Sequence, residues 1–95
     1  MFVFYLAPRI EGQCEFMSST TRSLTFRWSR AKSATSYSLV GHSKSLLSAT
    51  IKVTVNDLTP GSRYTFTVSA VGWRGLRSNT ITCSGSTGLL EIFVL

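Results

Sequence analysis

Few residues in this chain of 95 could do covalent or proton-transfer chemistry, and they are scattered. His42 is the only histidine, Asp57 is the only acid between Phe16 and Leu90, and Glu11, Glu15 and Glu91 stand near the ends. Catalysis needs a nucleophile, acid or base held against its partner in a cleft. The many serines here have no base to serve them, so the chain reads as non-enzymatic and without a cofactor. His42 reads as an ordinary exposed or edge residue, because nothing else in the sequence completes a site around it. Cys14 and Cys83 lie far apart, with no C-x-x-C and no histidine at ligand spacing, which leaves zinc unsupported. They could be bridged or free; a bridge closing so long a loop stabilises by about 4 kcal/mol, less any strain. Gly72-Trp73-Arg74-Gly75 lacks the following helix whose N-terminus would hold a phosphate, so it is not a nucleotide loop.

What remains is recognition chemistry. Trp73, Arg74 and Arg77 fall in one short stretch, and Arg30 and Lys32 in another. Arginine with tryptophan is the composition of a binding hot spot, a large apolar contact beside bidentate donors. The alternative is that Trp73 folds over its own loop and the arginines are solvated. Ten Lys and Arg against four Asp and Glu give a formal charge of +6, which favours an acidic partner such as a sulfated glycan, an acidic protein surface or a nucleic acid. Against that stands the reading of scattered cations as a solvated face. Nucleic acid is disfavoured further, because the aromatic residues other than Trp73 mostly occupy buried strand positions and leave no stacking platform.

The elements that must carry these residues are short strands. From Tyr64 to Ala70, large apolar residues (Tyr64, Phe66, Val68, Ala70) alternate with Thr65, Thr67 and Ser69, the period of a strand with one buried face. Leu24, Phe26 and Trp28 alternate in the same way, as do Ile51, Val53 and Val55, while Tyr37 and Leu39 point inward with Val40 and His42 on the outer face. Ile10, Cys14 and Phe16 share a face of a first strand kinked at Gly12, followed by a polar turn over Ser18 to Thr21. Lys44 to Leu47 makes a short edge strand, and Arg77 to Ser84 a last strand with Ile81 and Cys83 inward. Seven short strands at this spacing, with no helical period, predict an all-β sandwich. Length allows one domain.

Leu58-Thr59-Pro60-Gly61-Ser62-Arg63-Tyr64-Thr65-Phe66-Thr67-Val68-Ser69-Ala70 resembles the corner between strands E and F of a fibronectin type III domain. In that pattern Tyr64 is the corner tyrosine, whose hydroxyl bonds back to the backbone a few residues upstream. Trp28 matches the tryptophan that ends strand B and plugs the core, and Tyr37 the tyrosine that follows it in strand C. The resemblance implies a seven-stranded immunoglobulin-like β-sandwich with sheet A-B-E packed on sheet C-C′-F-G. Trp28, Tyr37, Leu58, Tyr64, Phe66 and Val68 form its structural core. It covers roughly 8–84, leaving 1–7 as an apolar lead-in and 85–95 as a tail.

The resemblance also implies non-catalytic work in an extracellular or cell-surface ectodomain, either binding another protein or spacing other modules of a larger adhesion or receptor-type protein. The B-to-C and F-to-G loops then bring Arg30 and Lys32 near Trp73, Arg74 and Arg77 as the partner-binding candidates. Heparin or another sulfated glycan is the alternative ligand for those basic loops, and service as an accessory domain of a secreted enzyme is a further one. Arg74-Gly75-Leu76 stops short of the Arg-Gly-Asp triplet of integrin ligands. Cys14 and Cys83 fall on the first and last strands near one edge, yet facing sheets lie about 10 Å apart while a disulfide needs Cα atoms within about 7 Å, which counts against a bridge. The apolar runs Met1–Ala7 and Leu89–Leu95 are too short to span a bilayer, which takes about 20 residues. They read as end segments or as marks of a chain cut from a longer polypeptide, and if exposed they invite edge pairing.

Overall fold

A computed structural model describes residues 6–90; the outer parts of both apolar end runs, 1–5 and 91–95, lie outside the described residues. Seven strands follow in order: β1 (Glu15–Ser19), β2 (Leu24–Arg27), β3 (Ala34–Gly41), β4 (Lys44–Ser48), β5 (Lys52–Val55), β6 (Arg63–Gly72) and β7 (Arg77–Ser86). They form two antiparallel sheets, β1-β2-β5 and β4-β3-β6-β7, the expected A-B-E and C′-C-F-G layers. A 3₁₀ turn over Trp73–Gly75 joins β6 to β7.

Binary alternation decides which side chains meet between the layers. Leu24, Phe26 and Val55 from one sheet and Tyr37, Leu39, Phe66, Val68 and Ala70 from the other are buried. Phe26 and Phe66 meet edge to face across the interlayer space, ring centroids 6.0 Å apart, and Trp28 packs 5.6 Å from Tyr37. Leu58 is buried as well, and Tyr64 packs against the edge of this cluster. Burial of such aliphatic and aromatic side chains, roughly 1.5–3 kcal/mol each, is the main favourable term in the fold.

The first strand departs from the expected placement. Residues 10–14 do not join the β1 ladder; β1 starts at Glu15 and runs through Ser18 and Ser19, which the sequence reads as turn. Gly12, at φ +78°, breaks the extended run, and the segment before it lies beside β7. There Asn79 accepts from the Ile10 N–H at 3.0 Å and donates to the Ile10 carbonyl at 3.1 Å. Ile10 is buried as expected, but Phe16 is 46% exposed, its ring covering Phe26 from the rim at 6.3 Å. β7 also outlasts its expected end, because the backbone past Ser84 keeps pairing with β6, Gly85 opposite Tyr64 and Ser86 opposite Arg63. Thr87 then locks the corner: its buried hydroxyl donates to the Thr59 carbonyl at 2.6 Å and accepts from the Ser62 N–H at 3.0 Å.

Candidate functional site

Tyr64 closes the turn from β5 into β6 from its far side. Its hydroxyl accepts the Thr59 N–H at 2.8 Å, which gives the half-buried phenol the partner it requires. Hydrogen bonds from Thr59, side chain first and backbone second, with Lys44 adding a smaller attraction, hold this phenol below its ordinary value of 10.0. His42 lies against the same ring. It occupies the β3–β4 turn at φ +49°, its ring 4.8 Å from Tyr64 and 5.5 Å from Phe66. Its Nε2 accepts the Thr65 N–H at 3.1 Å, replacing the carbonyl that β3 no longer supplies once it turns away.

The opposite pole carries the loops. Gly72 makes their junction possible, since a Cβ there would stand 2.8 Å from the Ser33 carbonyl oxygen and 3.0 Å from the Pro8 ring. The B-to-C loop is pinned where the buried Tyr37 hydroxyl accepts the Ala31 N–H at 2.9 Å. The F-to-G turn is closed by Gly72 N–H donating to the Leu76 carbonyl at 2.7 Å and Leu76 N–H donating to the Trp73 carbonyl at 3.2 Å. Within it Arg74 takes the left-handed conformation, φ +55°. Its guanidinium stacks 4.2 Å from the Trp73 ring centroid, a cation–π contact, while the indole stays 43% exposed.

The sequence model of the fibronectin type III domain matches residues 7–84. The chain belongs to the fibronectin type III family. No curated protein sequence matches it. Among solved structures, the chitinase ChiA74 from Bacillus thuringiensis superposes with a TM-score of 0.79 at 19% identity, over 86% of this chain but 14% of that one. FN3tt mut matches at 28% identity and a TM-score of 0.71, covering 87% of this chain and 99% of its own. The fn3 domain of the human collagen alpha-1(XX) chain matches at 17% identity and a TM-score of 0.72, covering 94% and 90%.

In this fibronectin type III domain the five expected partner-binding residues divide into three groups. Arg30 and Lys32 line a hollow of about 360 Å³ with Leu6, Ala7, Arg9, Glu11 and Ser33. Trp73 and Arg74 make the stack on the neighbouring turn. Arg77 leans instead over β6, its Nη1 donating to Ser69 Oγ at 3.1 Å, so it serves the sheet face rather than the loop tip. Arg9 was not legible as a member of this pole: an isolated backbone bridge to Lys32 brings it there, and its side chain pairs with Glu11 at 3.5 Å. No cluster of His, Cys, Asp and Glu suited to a metal occurs among the described residues, and no helix among them is long and apolar enough to cross a membrane.

The cysteine pair, left open by the sequence as bridged or free, is closed in the structure. Cys14 and Cys83 are disulfide-bonded, with Cα atoms 5.3 Å apart. The spacing of about 10 Å between facing sheets does not separate them, because Cys14 precedes β1 and belongs to the segment beside β7. It therefore faces its partner along one sheet edge, where the reach across two sheets does not apply.

Proposed function

We propose that this domain is a non-catalytic interaction or spacer module of a larger extracellular protein of adhesion or receptor type, meeting its partner protein through the loop pole. The observation that supports this is the Trp73–Arg74 stack. A partly exposed indole with a guanidinium on its face, on a turn closed by two backbone hydrogen bonds, offers the large aromatic and arginine contact that dominates protein interfaces. The backbone already holds this shape, so binding costs little ordering.

A second reading has its own observation. Three cations against one carboxylate line the hollow at Arg9, Arg30 and Lys32, a composition suited to a sulfated glycan. A third, an accessory domain of a secreted enzyme, is favoured by the ChiA74 likeness, in which a domain of this shape is a small part of a chitinase chain. Elution from a heparin column separates the first two. Under the protein-binding reading the intact domain elutes at or below physiological ionic strength, about 0.15 M, and Arg30→Ala with Lys32→Ala changes little. Retention well beyond that salt, collapsing in the double variant, would replace it with the glycan reading.

A further inference from the structure

The path of the chain through the sandwich gives the disulfide a role that its thermodynamic effect does not describe. The described chain enters at the loop pole, where Pro8 lies against Gly72. It leaves at the opposite pole, where Gly88 bonds Gly61 and Thr20 through their backbones. Between these points residues 10–14 and β7 run side by side in the same direction, Ile10 beside Asn79 and Cys14 bonded to Cys83. A pull on the two ends therefore draws this pair past each other along the long axis of the strands.

We propose that the Cys14–Cys83 bridge makes the domain a nearly inextensible link, with tension passing from one end to the other through the disulfide and bypassing the sandwich. β1 to β6 and the first part of β7 all lie inside the loop that the bridge closes. Among the described residues, tension can peel away only 6–13 and 84–90, on the order of 50 Å of chain at roughly 3.5 Å per extended residue. Opened, the same domain resists through the noncovalent contacts of the entering segment, among them buried Ile10, its two bonds to Asn79 and the Arg9–Lys32 bridge, and through the strand ladders. Once these yield, the 69-residue separation releases about 240 Å more. This inference goes beyond the proposed function and holds whether a protein, a glycan or nothing occupies the loop pole. Cys83 is buried, and the bond faces outward only at its Cys14 end, which is part-buried and lines a surface hollow of about 350 Å³ with Gly12, Gln13, Ile81 and Thr82.

Single-molecule stretching between handles on the two ends tests it. The oxidised domain is expected to show no lengthening step near 240 Å. Held at constant force in a dithiol reductant, it is expected to show that step after the bridge opens, as the two reductant thiols close into their own disulfide and leave Cys14 and Cys83 as thiols. The variant Cys14→Ser with Cys83→Ser should give the step without reductant; if that variant does not fold, the constant-force experiment on the intact protein decides alone. A step near 240 Å from protein whose bridge is verified by mass spectrometry would overturn the proposal. So would reduction that adds no length.

Discussion

At Tyr64 the phenolic hydroxyl ties the corner to the core. Removing the hydroxyl in Tyr64→Phe leaves the ring in place but deprives the Thr59 N–H of its acceptor, so the urea midpoint should fall while the fold persists by circular dichroism. Hydrogen bonds from Thr59, side chain first and backbone second, also set a pH dependence. Because Thr59 holds the folded phenol below its ordinary 10.0, the folded state carries the phenolate more readily than the unfolded chain does. This group's contribution to stability is therefore complete above about pH 10, and it is lost as pH falls through the lowered folded value. Ultraviolet difference titration should find Tyr64 ionising below 10.0 in the folded domain, and Tyr64→Phe should abolish that transition. Little of this pairing is visible to pattern alone. The corner motif marks Tyr64, whereas the bond at His42 exists only because β3 turns away before it can serve Thr65.

The elements show where pattern reading succeeds and where it stops. β2, β5 and β6 were legible because each alternates strongly enough that a one-residue slip would bury threonine or lysine and expose phenylalanine or valine, whereas β3 was marked by Tyr37 and Leu39, which are buried together with Ser38 between them. The first strand was not, since Ile10, Cys14 and Phe16 fit one face on paper while Gly12 lets the chain leave that face between them. Gly85 and Ser86 fall past the strand expected to end at Ser84, but an open β6 partner overrides their weak propensity. The loop pole was legible only as a list of residues. Which cations converge depends on Pro8, Ser33 and Gly72 meeting closely, a packing fact with no sequence period. Gly72→Ala tests that junction: with 2.8 Å to the Ser33 carbonyl, the backbone must shift, and a destabilisation of about 1–3 kcal/mol is expected in urea denaturation. Unchanged stability would mean that the pole is looser than its contacts imply.

On the scale of the whole molecule, fold and disulfide act together: the two sheets bury one aromatic and aliphatic core, and the bridge ties the entering segment to the last strand. Cys14→Ser with Cys83→Ser should lower stability by about 4 kcal/mol, the chain-entropy cost of freeing so long a loop, measured as a fall in the denaturation midpoint. A loss under about 1 kcal/mol would show that Ile10 and Asn79 alone hold the segment. Under the proposed function, the domain acts by recognition at the loop pole, through Trp73 and Arg74. The direct measurement is binding of the domain to arrayed extracellular proteins, comparing wild type with Trp73→Ala plus Arg74→Ala and with a distant control, Thr25→Ala plus Thr54→Ala, on the opposite sheet. Saturable binding that weakens about 30-fold or more in the first variant, the factor matching a hot spot of at least ~2 kcal/mol, and that survives in the control, is the predicted result. Binding that survives loss of Trp73 and Arg74 but disappears in the control would place recognition on the sheet face and contradict the account.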